Sequence, residues 1–292
     1  MEPAKSLDET ITLLESRGLT MPDRDAMRRI LFDVSYYRLS NYFRAFQNDP
    51  TSGGPFKPNV DISDILEPYR LDGELRSMIL RGTELIEQVT KSRFAYLVAQ
   101  HGGAYSYACI DSYEPITDPA GIELRTALVP SIRKWIETSN KTTIRHYHKT
   151  DAPTPIWAAV EALPFGAVSQ MLSLYNDTAV FKELYRSLGV RTKLRAASEI
   201  IHAIVHLRNL CSHHSRLRHR EMVIVPQVTR DMRRRYPDFE YEQRSVAQAL
   251  IALLYLVDEI NHDDSYSSKI IGFLSAHHRY NEGIHHPLQY WA

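Results

Sequence analysis

The sequence predicts a mainly α-helical protein with at most a small β-hairpin. Three observations carry that expectation. Apolar residues recur at three- and four-residue spacing along most of the chain. The interruptions are short and rich in Pro, Gly, Ser and Asn, as in residues 47–59 and 111–120. Only one stretch, Met222-Val223-Ile224-Val225-Pro226, has the β-branched run expected of a strand.

The elements follow in order. Ser6-Leu7-Asp8-Glu9 reads as a capping box, with Leu7, Ile11 and Leu14 on one face and Gly18 as the stop. Residues 25–46 continue as helix, broken near Val34-Ser35. Residues 62–100 carry one long helical period, ended by His101-Gly102-Gly103. Residues 124–148 look helical and polar, and Pro153 and Pro155 mark a turn. Residues 156–175 return to helix, interrupted at Pro164-Phe165-Gly166. A further helix covers 192–212, a buried one 246–260, and a last one 267–278. No internal repeat or low-complexity tract is present.

Bulk properties narrow the classes. At 292 residues the chain can bury a sizeable core. Lys+Arg and Asp+Glu are both 35, so global charge announces no nucleic-acid partner. The two cysteines, Cys109 and Cys211, stand in no paired motif, as expected of a reduced protein. The N-terminus lacks the apolar core of a signal peptide, and residues 249–257 are too short to span a bilayer. A cytoplasmic protein with no membrane role is expected.

The helix over 192–212 carries the chemistry. Advancing about 100° per residue from Ile201 places Leu194, Ala197, Ile204 and Val205 in one apolar stripe. Arg208 falls about 20° from the stripe's centre, where a permanent charge needs a partner or a cleft. Bonding of the last helix carbonyls is the ordinary alternative. His213 projects about 140° from Arg208 on a straight helix. Either the chain turns back after the helix, or two copies share the site. A guanidinium grips phosphate through a planar fork, an imidazole moves protons near neutral pH, and Asn209 can hold either group. Glu199, His202, His206 and His213 form a rival face that could hold a metal with help from another helix. Downstream, residues 208–235 hold eight arginines and two acids, a local phosphate footprint in a neutral protein.

Four segments, in order, resemble the Abi-like (abortive-infection) bacterial proteins, a branch of the HEPN ribonuclease superfamily. The first is Tyr36-Tyr37-Arg38-Leu39-Ser40-Asn41-Tyr42-Phe43-Arg44-Ala45-Phe46. The second comprises Leu75-Arg76 and Ile86-Glu87, then Arg93. The third is Pro155-Ile156-Trp157-Ala158-Ala159-Val160-Glu161 with Phe165-Gly166. The fourth is Arg208-Asn209-Leu210-Cys211-Ser212-His213-His214-Ser215-Arg216-Leu217. The resemblance spans about residues 23–220; one Arg-x4-His is weak, but four ordered segments are specific.

The resemblance implies a HEPN-like helical bundle with extra N- and C-terminal helices. Residues 1–60 would form an N-terminal helical region, 61–220 the core carrying Arg-x4-His, and 221–292 a C-terminal helical extension. It further implies a homodimer whose paired Arg and His residues cleave RNA without a metal or other cofactor, in abortive infection against phage. By that pattern His213 is the catalytic histidine, Arg208 binds phosphate, and Asn209 is the polar residue beside Arg208. His214 also satisfies a superfamily spacing, so the two histidines stay open. Glu87 and Glu161 are candidates to orient Arg208. Arg216, Arg218, Arg220, Arg233, Arg234 and Arg235 are the expected RNA contacts. An antitoxin or a small regulatory RNA is an expected further partner. A non-catalytic RNA-binding protein and a metal-dependent hydrolase remain the alternatives. The aromatic residues Tyr36, Tyr37, Tyr42, Phe43 and Phe46 read as core, and Trp157, Phe165 and Gly166 as packing at a helix break.

Overall fold

The computed structural model describes residues 4–50 and 53–288. Residues 1–3 of the N-terminus and 51–52 of the expected first loop lie outside the described residues. Fourteen α-helices and no strand are present among the described residues. In order they are α1 (Leu7–Ser16), α2 (Arg24–Val34), α3 (Tyr36–Phe43), α4 (Ile62–His101), α5 (Leu124–Glu137), α6 (Thr142–Thr150) and α7 (Ile156–Ala162). Then come α8 (Phe165–Leu174), α9 (Thr178–Ser187), α10 (Leu194–Ser212), α11 (Arg230–Arg235), α12 (Val246–Asn261), α13 (Ser265–Ala276) and α14 (His278–His285).

Local chemistry explains the ends. Ser6 and Glu9 close a capping box at α1, and Gly18 follows with φ 89°. Ser35, at φ 65°, separates α2 from α3. Asp61 and Asp64 build a second box at the start of α4, which runs unbroken for 40 residues, about 60 Å, to Gly102. Leu163 and Pro164 part α7 from α8.

Four expectations need correction. Residues 124–148 form two helices, since the chain turns at Thr138 and Ser139 and restarts at Lys141. α9 and α11 are additional to the expected elements, although Asp177 and Thr229 cap them in the ordinary way. α14 follows the helix expected to be last. Residues 222–226 form no strand, for want of a partner strand. Their backbone instead bonds to the start of α12: Met222 N–H donates to the Arg244 carbonyl (2.8 Å), and Gln248 Nε2 to the Pro226 carbonyl (3.0 Å).

α4 is the axis of the fold, packing against α3, α7, α9, α10, α12 and α13. One apolar core extends from Leu71 to Ile284 and includes α10 and α12. α12 is buried on nearly every side, from Val246 to Asp258. Each buried Leu or Ile there stabilises the fold by about 1.5–3 kcal/mol. A smaller core, from Ile11 to Ile65, joins α1, α2 and α3 to the first turns of α4. Tyr42, Phe43 and Leu39 are buried in it, whereas Tyr37 is 82% exposed and so is no core residue. Trp157 is likewise 55% exposed, on the outer face of α7, while Phe165 is buried as expected.

Candidate functional site

The end of α10 is a tight, fully bonded turn. His213 caps the helix, and its N–H donates to the Asn209 carbonyl (3.0 Å). His214 follows in the left-handed conformation, φ 53°. Its N–H donates to the Cys211 carbonyl (3.1 Å), and the Ser215 N–H reaches back to the Leu210 carbonyl (2.9 Å). That pair of bonds is a Schellman motif with histidine where glycine is usual. The chain therefore turns back at once after the helix, one of the two arrangements that helical geometry allowed. Both imidazoles are exposed at the turn.

Arg208 lies one helical turn earlier. It is half-buried and projects within the apolar arc of the helix, as its spacing implies. The buried arc of α10 runs from Leu207, Ile200 and Cys211 through Ile204 and Ile201 to Val205, and Arg208 near the helix end keeps part of its surface exposed. Arg208 Nη1 donates to Asn209 Oδ1 (3.1 Å). Among the described residues no hydrogen bond joins Arg208 to His213. Glu87 pairs with Lys91 (2.6 Å) and Glu161 with Lys141 (3.8 Å). Arg208 is not among the hydrogen-bond or ion-pair partners of either carboxylate.

What fixes the turn is a buried carboxylate that the sequence reading passed over. Asp72 of α4 has no solvent exposure. It accepts hydrogen bonds from the hydroxyls of Tyr42 (2.6 Å) and Tyr280 (2.6 Å), and from the N–H groups of Leu217 (2.7 Å) and Arg218 (3.2 Å). Arg76, one turn along α4, lies 3.8 Å from Asp72 and donates to the Ser215 carbonyl (3.2 Å). Burial pushes the Asp72 carboxyl above the usual range, against the pull of the tyrosine hydroxyls, the Leu217 N–H and Arg76. The sequence did carry a signal: Asp72 and Arg76, four residues apart, interrupt the apolar series Leu71, Leu75 and Ile79.

The arginine patch divides in two. Burial lowers the guanidinium pKa values of Arg216, Arg218 and Arg220, while the Asp72 charge acts in the opposite sense. Arg218 also sits over the Phe46 ring (5.5 Å). These three belong as much to the fold as to a surface. Arg233, Arg234 and Arg235 are exposed on α11. Arg233 stacks over Tyr241 (5.7 Å), Arg234 lies near Asp231 (3.8 Å), and Arg235 pairs with Glu259 (3.3 Å).

On the rival face, Glu199 pairs with Arg195 (3.2 Å). Burial, and then the charges of Arg220 and His202, lower the His206 pKa. Among the described residues no group of three His, Cys, Asp or Glu could hold a metal ion, so that face has no ligand set. No helix among the described residues is long and apolar enough to cross a membrane.

Beside α10, a groove of about 640 Å³ opens between α5 and α8, and His202, Val205 and Asn209 form its α10 wall. The amide that receives Arg208 thus also faces this groove.

Comparison with known proteins adds one finding. No curated protein and no solved structure matches the chain. A family model described as Abi-like protein matches residues 29–219, from α2 through the turn after α10 and well over half of the chain. The chain belongs to the Abi-like family, the abortive-infection grouping that its four ordered segments resemble.

Proposed function

We propose that the protein is an abortive-infection endoribonuclease of the HEPN type, acting on RNA without a metal. One observation carries the reading: half-buried Arg208, bonded to Asn209, stands one turn before two exposed histidines on a rigid turn. The ribose 2′-OH attacks the adjacent phosphorus, and the bond to O5′ breaks. The products are a 2′,3′-cyclic phosphate and a 5′-OH. His213 takes the 2′-OH proton or supplies one to O5′, a contribution of about 10²–10⁴-fold. Arg208 stabilises charge developing on the phosphoryl oxygens. A histidine from a second copy of the chain completes the acid–base pair in a composite cleft. The nucleophile itself restricts the substrate to RNA.

The test is end-mapping of labelled RNA incubated with purified protein in EDTA. Cyclic phosphate ends are expected, with Arg208→Ala and His213→Ala each slowing cleavage by about 10²-fold or more. A requirement for divalent metal, or full activity in both variants, would overturn the mechanism. A non-catalytic RNA-binding role is favoured by one observation, the lack of any bond between Arg208 and His213 within one chain. It predicts salt-sensitive binding without cleavage.

A further inference from the structure

We infer that the groove beside α10 is a nucleobase subsite, seating the base of an unpaired nucleotide whose phosphate lies at Arg208. The inference rests on the nuclease reading for its phosphate position, and on the groove's own chemistry for its occupant. The volume, about 640 Å³, lies within the range of small-ligand sites. Its floor is apolar, from Leu128 and Val205. Trp135 of α5 stands at the wall, 45% exposed in spite of its large apolar ring. An indole in that position is a stacking platform.

The polar groups around it are the neutral donors and acceptors Ser131, Ser169, Gln170, Ser173 and the Asn209 amide, with His202 beside them. The described lining residues include no Asp, Glu, Lys or Arg. A site so built offers nothing to a free ion. It suits a flat, uncharged heterocycle with hydrogen-bonding edges, which is what a base splayed from single-stranded RNA presents. A permanent charge appears only at the margin, where Asn209 holds Arg208 at 3.1 Å. One side chain thus touches both the phosphate grip and the base groove, and the two stay within the reach of a single nucleotide.

The experiment measures binding of short single-stranded RNA to the full chain carrying His213→Ala, which separates binding from cleavage. The probes are an intact oligonucleotide and a series in which one abasic ribose is moved along the strand. Trp135→Ala should weaken binding of the intact strand roughly tenfold, and Trp135→Phe should restore most of it. One abasic position should cost a similar factor, and Trp135→Ala should then add nothing. Equal binding by Trp135→Ala, or independent multiplication of the two losses, would refute the subsite. Refutation would also follow if Trp135→Ala split a dimer in sedimentation, since a second copy would then fill the groove. RNA cleavage that ignores the groove leaves the nuclease reading intact and removes the subsite. Base-dependent binding in a protein that cuts nothing does the reverse.

Discussion

His214 carries the local cost of the turn that ends α10. A non-glycine residue in the left-handed region is disfavoured by about 1–2 kcal/mol, and glycine relieves this at some cost in chain entropy. His214→Gly should therefore raise stability by about 0.5–1 kcal/mol in a urea melt. A drop in stability would mean that the imidazole contributes more than its backbone strain costs. The same variant assigns the proton. Retained RNA cleavage leaves His213 as the acid–base group, whereas loss of cleavage in a fully folded variant moves that role to His214. That Arg208, Asn209 and His213 stand together at the end of a helix was legible in the sequence, from the apolar period before them and the break after them. Asp72 was not, because a single buried acid is read only through its partners. Those partners, Tyr42, Leu217, Arg218 and Tyr280, are scattered along the chain.

Between elements, α13 meets α4 at a glycine. Gly82 sits in the middle of α4, where glycine is less favourable than alanine by about 0.5–1 kcal/mol. It is kept small by Tyr266, whose hydroxyl donates to the Met78 carbonyl (3.0 Å) and whose ring occupies the space a Cβ would need. Gly82→Ala should destabilise by about 1–3 kcal/mol. In a double-mutant cycle with Tyr266→Ala the two losses should be less than additive. A Gly82→Ala protein as stable as its parent would show that α13 can shift at no cost. α4 and α12 were readable because burial demands apolar residues over a long stretch, α12 being apolar on nearly every side. α9 has the same kind of signal, with Val180, Phe181, Leu184 and Tyr185 buried, but its short length and polar ends hid it. The false strand at residues 222–226 shows the opposite error: β-branched residues were read as pairing, yet pairing needs a second strand that the fold does not supply.

Across the whole molecule, burial depresses three imidazoles in the same direction. His206, His219 and His285 all fall below the ordinary histidine range, His219 to about 4 beside the His286 carbonyl (2.9 Å). In the unfolded chain these groups take up protons at their ordinary pKa of 6.5. Between that value and about 4 the unfolded state holds more protons, so stability falls as the pH falls. Their contribution is complete above about 6.5 and is lost as the pH drops through the folded values. Melting temperature should decline from pH 7 to pH 4.5, and His219→Asn, which keeps a donor for the His286 carbonyl, should flatten part of the slope. An unchanged slope in that variant would remove His219 from the account. A neutral total charge concealed all this, because it reports neither where arginines are buried nor which histidines are dry.

The carboxylate of Asp72 has a consequence for timing. Its four hydrogen-bond donors come from residues 42, 217, 218 and 280, and the last lies 208 positions beyond it in the chain. Such long-range closure comes late in folding. A chain still emerging from the ribosome would therefore present α10 and its two histidines before the support behind them is complete. The turn would gain its full support only once α14 had docked, so that a growing chain stays unfinished at the end of α10 until synthesis has passed Tyr280.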